Sequence, residues 1–507
     1  MQETSLKKRY SIKLFANIIA GIIVAIIVAI VPKALGPVAY GQFVYLQEFF
    51  TKAIGFLDMG SSIAFFTKLS ARANRKELIS FYFLYSFMVL LLIFGFIFVG
   101  DAFGFLNAII PDISTEYIYL GLFFGFFTWF TQIFIKISDA YALTVSVELI
   151  KVGHKIASLL LLLFFVYQLA FDLEIFFYFH YIALISFLLI ISWLFIKKGI
   201  FQNIINSQLS ILNLTKEFIS YCHPLFVYSI IGLLAGLFDI WLLQKVAGSE
   251  QMGFYGLAYG LAAMCFLFTS AMTPIITREF SKSYEQKDIE NMRKLFYRYI
   301  PMLYSIAAFF AVFISVQSEN VLLIFTDEKF KDAFLVLVIM ALYPIHQTYG
   351  QLSGSIFYAT GQTKLMRNMA LFTMPLGMLA TFILIYIFEL GAVGLACKMI
   401  LVQFIGANIQ LYFNAKLLNI DMKHFIWHQV YAIVFFVVLV FVSSALISFD
   451  SPLIEFLLSG IMYTILSIIF GYIFPQIFAT NRNEINIVLN NIRKELIANS
   501  KIKLEKI

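Results

Sequence analysis

Five charged residues sit inside otherwise apolar stretches: Glu48, Lys52, Asp58, Asp239 and Lys398. A charge at the centre of a bilayer costs a few kcal/mol or more, so it faces a protein interior or an aqueous cavity and finds a partner. Glu48 and Lys52 are four residues apart, in the acid-first order that favours pairing on one helical face. Two readings are open for this pair. Lys52 lines a cavity and attracts an anion as a compact point charge, or the pair satisfies itself and only fixes packing. Asp58 lies six residues beyond Lys52, about 240° around the helix, and faces elsewhere. Its expected role is an interhelical hydrogen bond or a cap where the helix loosens at Gly60, with gating as the alternative. His346 follows Pro344 and is placed at a broken helix, in a gating or structural role. Pro375 lies inside an apolar run and is expected to kink it. No two histidines share metal-ligand spacing. Cys222, Cys265 and Cys397 lack a CxxC pattern. The sequence therefore offers no metal site, disulfide framework, catalytic residue or cofactor motif.

These residues are positioned by membrane helices. The chain has 507 residues, of which 61% are hydrophobic and only 13% charged, with a mean hydropathy of +0.90. A soluble domain carries about 25% charged residues, so this is an all-α polytopic membrane protein. Nucleic-acid binding is excluded, and continuous apolar runs rule out a β-barrel. Runs of about 20 apolar residues predict fourteen spans: near 12–32, 42–66, 80–99, 116–136, 149–170, 175–196, 222–244, 253–276, 298–317, 332–358, 369–388, 391–413, 429–448 and 453–474. The first run is read as a retained helix rather than a cleaved signal. With both termini placed in the cytoplasm, thirty of the 36 Lys and Arg residues fall on inner segments and four on outer loops. One miscounted span would destroy that alternation. The longest inner segments are 197–221, 278–297 and a basic tail from 476, read either as an amphipathic surface helix or as solvated chain.

An internal repeat is visible. Gly36 and Gly41 precede the second span, and Gly248 and Gly253 precede the eighth, each as Gly, four residues, Gly. A six-span unit repeated in the same orientation predicts two parallel lobes around a central cavity, plus two additional C-terminal spans. The division expected is 1–200 and 201–415 for the two six-helix lobes, 416–475 for the added helices and 476–507 for the tail.

Four segments carry a family resemblance: Leu35-Gly36-Pro37 through Tyr40-Gly41, Leu57-Asp58-Met59-Gly60, Ala359-Thr360-Gly361-Gln362-Thr363-Lys364 and Gly391-Ala392-Val393-Gly394-Leu395-Ala396. Together they resemble polysaccharide flippases of the Wzx type, in the multidrug/oligosaccharidyl-lipid/polysaccharide exporter superfamily. The resemblance implies a V-shaped two-lobe fold and alternating access. It implies a cargo of undecaprenyl-diphosphate-linked oligosaccharide moved from inner to outer leaflet for O-antigen or capsule assembly. A monomer in the bacterial inner membrane, working beside a polysaccharide polymerase, is expected. Lipid II flippases of the superfamily carry arginines in the first two spans. Here Asn17 is the strong polar group of the first span and Lys52 the cation of the second. Those flippases bind a coupling cation through an acid of the seventh span, which Asp239 resembles by position. Three readings follow: Asp239 holds a proton or sodium ion, Lys398 neutralises it, or Lys398 faces the cavity as a second phosphate contact. Rival functions are ion-coupled multidrug export and, more remotely, a membrane polysaccharide polymerase. Lys52 and Lys398 argue against the first, and short, Arg-poor outer loops against any enzyme.

Overall fold

The computed structural model describes residues 6–71, 75–141, 143–202 and 210–487. The helices, in chain order, are α1 (Leu6–Asp58), α2 (Ser61–Ala71), α3 (Glu77–Ala102), α4 (Leu106–Ile109), α5 (Thr115–Ala140), α6 (Thr144–Gln168), α7 (Leu173–Lys197), α8 (Ile211–Ala263) and α9 (Leu267–Glu285). They continue with α10 (Ile289–Val316), α11 (Ser318–Phe325), α12 (Phe334–Met340), α13 (Tyr343–Ala359), α14 (Thr363–Thr381), α15 (Gly391–Leu418), α16 (Met422–Leu446) and α17 (Pro452–Ile473). No strand occurs among the described residues.

Among the described residues, twelve helical stretches are long and apolar enough to cross a bilayer. Two of them, Gly21–Asp58 and Ile230–Phe266, run 38 and 37 residues, about 57 Å at 1.5 Å per residue and nearly twice the apolar core. Each is broken at the glycine that the repeat predicts. Gly36 has φ 75° and ψ 169°, and Gly248 has φ 80° and ψ 178°. Side chains with a Cβ rarely adopt that geometry. Counted as two spans each, they bring the total to the fourteen read from hydropathy, and the protein is a multi-pass membrane protein. Large apolar side chains on the outside fit that reading: Leu92, Phe98, Leu160, Leu189 and Phe441 are all more than half exposed, as lipid contact allows and water does not.

The second glycine of each pair has a packing reason. A Cβ on Gly41 would stand 1.7 Å from Ser249 O, and one on Gly253 would stand 2.2 Å from Pro37 O. The segments that open the second and eighth spans therefore cross in backbone contact.

By internal packing the chain separates into two units. One comprises Met1–Gly260, Phe325–Val336 and Leu371–Lys398, and the other Leu261–Ile324, Leu337–Ala370 and Met399–Ile507. The first packs around Phe65, Leu78, Tyr82, Ile137, Ile191 and Phe195. The second packs around Phe296, Tyr304, Tyr349, Leu411, Phe436 and Tyr463.

Four spans depart from a simple rod. The second breaks at Met59 and Gly60, whose φ values are 45° and 79°. The eighth passes through a 3-10 turn at Met264–Phe266. The tenth is split between α12 and α13. The eleventh ends in a π-helical stretch, Phe382–Ile387. The 278–297 segment is also not a loop. Helix α9 runs on to Glu285 and α10 starts at Ile289, with Asp288 accepting from the Asn291 N–H at 2.8 Å. Hydropathy marks where the membrane stops, whereas capping residues mark where a helix stops. The tail beyond 487 lies outside the described residues.

Candidate functional site

In the α1 segment after Gly36, the four-residue spacing brings Glu48 and Lys52 into an ion pair. Their side chains keep 33% and 26% of their surface, so the pair is accessible from a space rather than sealed in packing. The Lys52 stem lies over Gly236 of α8, where an added Cβ would be 3.0 Å from Lys52 Cε and 3.2 Å from Cδ. A larger residue there would push the lysine stem aside by a few tenths of an ångström.

Asp239 is one helical turn beyond Gly236, about 4.5 Å along α8. Lys398 of α15 forms an ion pair with its Oδ2, and Thr381 of α14 donates to its Oδ1 at 2.6 Å. The Asp239 and Lys398 side chains are only 14% and 10% exposed, and Thr381 is fully buried. The carboxylate thus has a charge partner on one oxygen and a hydroxyl on the other. This is the satisfied arrangement that a buried ion pair requires. Glu48, Lys52, Asp239 and Lys398 form two ion pairs along one stretch of α8, with no net charge. The Glu48–Lys52 pair is accessible and the Asp239–Lys398 pair enclosed.

Asp58 is structural in geometry. It accepts from Ser62 N at 3.1 Å, Ser61 Oγ at 2.9 Å, Ser62 Oγ at 2.8 Å and Tyr82 Oη at 2.9 Å. It therefore caps α2 after the break at Gly60 and ties it to α3, as both expected structural roles require. Asp58→Ala removes a cap worth about 0.5–2 kcal/mol and leaves the Tyr82 hydroxyl with Ser61 Oγ, at 2.9 Å, as its partner. The expected outcome is a thermal unfolding transition several degrees lower, read by scanning fluorimetry in detergent. An unchanged transition would remove Asp58 from the structural account.

His346 follows the break between α12 and α13, as expected, and is buried. Its ring packs against Tyr304 and Phe404 at centroid distances of 5.8 and 5.0 Å, and Nδ1 has no partner among the described residues. Around Pro375 the helical backbone of α14 continues to Thr381, and the irregularity comes at the π-helical stretch that follows. Asn17 lies on α1, but its side chain is outside the described residues. No cluster of metal-ligating side chains occurs among the described residues. Gly236 and Thr381 were missed from sequence. Gly232 and Gly236 stand four apart in the seventh span, the small-residue spacing that marks close helix approach. Thr381 leaves no such signal.

At one end of the second span, Lys68 donates to Glu217 at 2.7 Å, and Arg75 stands 3.5 Å from the same carboxylate. The Lys68 hydrogen bond, with the charges of Lys68 and Arg75, holds the Glu217 carboxyl below its ordinary value. Its contribution is therefore present above the unfolded carboxylate pKa and lost as pH falls through the lowered one. Glu217 is 35% exposed and Lys68 20%, so Glu217→Gln is expected to shift stability by no more than about 1 kcal/mol. A larger shift in an unfolding titration would contradict this.

The similarities of the whole chain fit this architecture. A family profile described as "Polysaccharide biosynthesis protein" matches residues 6–280, more than half of the chain, and one described as "MatE" matches 224–383. No curated protein matches the chain. Among solved structures, an inward-facing multidrug resistance MATE family transporter of the MOP superfamily superposes with TM-score 0.62 at 17% identity, covering 83% of this chain and 96% of that one. The lipid II flippase MurJ in an inward closed conformation superposes with TM-score 0.62 at 16% identity, covering 91% and 98%. An outward-facing MATE family transporter gives TM-score 0.57 at 16% identity, covering 82% and 97%. At such identities the likeness is one of fold. The chain belongs to the polysaccharide biosynthesis protein family and has the fold of MOP-superfamily transporters.

Proposed function

We propose that this protein flips an undecaprenyl-diphosphate-linked oligosaccharide from the inner to the outer leaflet of the bacterial cytoplasmic membrane by alternating access. The cargo would feed a polymerase that builds O-antigen or capsule. Both termini lie in the cytoplasm, the two six-helix lobes span 1–200 and 201–415, and one chain suffices. The observation that carries this reading is the accessible Lys52 ammonium beside Gly236, in a chain of a polysaccharide family. A diphosphate can draw Lys52 away from Glu48, because its charge is higher than that of one carboxylate. Lys398 is held by Asp239, whose other carboxylate oxygen accepts from Thr381. It supplies a tethered cation where a mobile proton or sodium ion would otherwise neutralise the acid.

Multidrug export is the second reading, favoured by the MatE profile over 224–383. An exporter of organic cations requires acidic residues free of fixed lysines, and both acids here are paired. The two readings separate in proteoliposomes. The protein is expected to flip a fluorescent lipid-diphosphate oligosaccharide and to leave ethidium where it is. Lys52→Met is expected to slow flipping about tenfold, the loss of one charge-assisted contact to phosphate. If Lys52→Met with Glu48→Gln transports normally, the pair is inert and the assignment of Lys52 fails.

A further inference from the structure

A charged cavity lies within the first unit, away from α8. Helices α5, α6 and α7 enclose about 360 Å³, inside the range of small-ligand sites. The ionisable side chains lining it are Glu148, Lys151, His154, Lys155 and His180. Four of these come from one helix because α6 carries them within two turns, with Glu148, Lys151 and Lys155 at i, i+3 and i+7 on one face.

The charges do not balance. Glu148 is nearly buried and pairs with Lys151 at 2.9 Å. Lys155 makes no hydrogen bond or salt bridge among the described residues. His154 is occupied, with Nε2 3.0 Å from Ser186 Oγ and Nδ1 3.5 Å from Ser158 Oγ. The ring of His180 is caged by Phe43, Phe124, Phe176 and Phe179 at centroid distances of 4.5–5.2 Å. Its Nε2 is buried without a partner. The cavity therefore holds two ammonium groups against one carboxylate, and one unused imidazole nitrogen. By sequence Lys155 counts with the inner segments, but it lies in the helical stretch Val145–Gln168, long and apolar enough to cross a bilayer, where an unbalanced cation calls for an anion from outside the chain. Lys155 stands six residues beyond the start of the apolar run at 149, about 9 Å, so its long side chain reaches the boundary between acyl chains and lipid headgroups.

We infer that the α5–α6–α7 cavity is a binding site for a lipid-borne phosphate. The lipid comes from the leaflet on the side where α6 begins, which the proposed orientation makes the inner one. Lys155 pairs with the phosphate, and Lys151 is shared between Glu148 and the ligand. The phosphate has two possible sources, a membrane phospholipid or the diphosphate of a polyprenyl cargo. Nothing in the inference depends on the flipping reaction.

The test is native mass spectrometry of the purified full-length chain. The probes are phosphatidylglycerol, undecaprenyl diphosphate, uncharged diacylglycerol and inorganic phosphate. The protein is expected to retain at least one of the two phosphate-bearing lipids about tenfold better than diacylglycerol, the effect of one charge-assisted contact. The lipid retained identifies the source. Lys155→Gln is expected to erase the preference and Lys155→Arg to keep it. Glu148→Gln, which frees Lys151, is expected to raise retention, so the proposal does not hang on a variant that loses binding by misfolding. Three results would overturn it. Lys155→Gln could keep the wild-type preference, as it would if Lys155 only reached out to the interface. Glu148→Gln could leave retention unchanged or lower it. Inorganic phosphate could bind as well as the lipids, making the site one for a free anion. A chain that binds lipid with this charge dependence yet fails to flip oligosaccharide would refute the flippase reading and leave this site standing.

Discussion

Gly41→Ala is expected to lower transport about 100-fold. The added methyl carbon would stand 1.7 Å from Ser249 O and 2.7 Å from Gly253 N. Those are backbone atoms, which no rotamer change moves aside. Overpacking of this kind costs about 1–3 kcal/mol or more. The cost falls only on the conformation in which the two glycine segments cross. A penalty of about 2.8 kcal/mol on one state of a two-state transporter depopulates it about 100-fold. Gly253→Ala is expected to act in the same way, through Pro37 O at 2.2 Å. Gly55→Ala is the control, because nothing lies within 4 Å of a Cβ there, and it should transport normally. Spin labels at the exposed positions Val38 and Glu250 would report the crossing as a distance. The short-distance population is expected in the parent and in Gly55→Ala, and is expected to vanish in Gly41→Ala. A Gly41→Ala protein with parental distances and transport would show that the crossing is not part of the cycle.

Asp239→Ala is expected to be far more damaging than removing its whole ion pair. With Asp239 gone, Lys398 is left 10% exposed and without its counter-charge, a situation that costs about 3–5 kcal/mol. Asp239→Ala with Lys398→Met removes both charges and should recover most of the lost stability. Thermal unfolding of the two single variants and the double variant closes the cycle. Additive losses would mean that the two residues are uncoupled. On the proposed tethered-cation reading, the same pair sets the ion dependence. Because Lys398 already fills the cation's role, sodium is expected to leave the melting temperature of the parent unchanged. Lys398→Ala opens the carboxylate, and sodium should then stabilise the protein in proportion to ln(1 + [Na⁺]/Kd). A parent stabilised by sodium, with the effect lost in Asp239→Asn, would make Asp239 a coupling site and contradict the tethered-cation account.

Most of the scaffold was legible because membranes impose long-range rules on local sequence. Apolar run length and the placement of Lys and Arg led to fourteen spans, and the spacing of Gly36 and Gly248 located both helix breaks. Glu48 and Lys52 were also legible, since i and i+4 meet on any helix. The breaks at Met59–Gly60 and Phe382–Ile387 lie within runs whose hydropathy does not change, so a window average passes over them. Asp58 sits between the two cases: Ser61 and Ser62 follow at capping distance, a signal that was present but not used. Thr381 could not be found this way, because it meets Asp239 across 142 positions of sequence. Gly236 matters only because Lys52 of another helix lies on it. The partnership of Asp239 with Lys398 was one of three open alternatives from sequence, and helix packing was needed to reveal it.

The most direct measurement of the central claim is the leaflet distribution of undecaprenyl-diphosphate-linked oligosaccharide in cells lacking this gene. A glycan-modifying enzyme that cannot cross the membrane would be added from outside. The account predicts that the oligosaccharide accumulates on the inner leaflet, protected from the enzyme, with surface polysaccharide lost. The parent gene should restore both and Lys52→Ala neither. Normal surface glycan with the oligosaccharide distributed as in the parent cells, accompanied by raised sensitivity to cationic drugs, would contradict the account and identify a multidrug exporter instead.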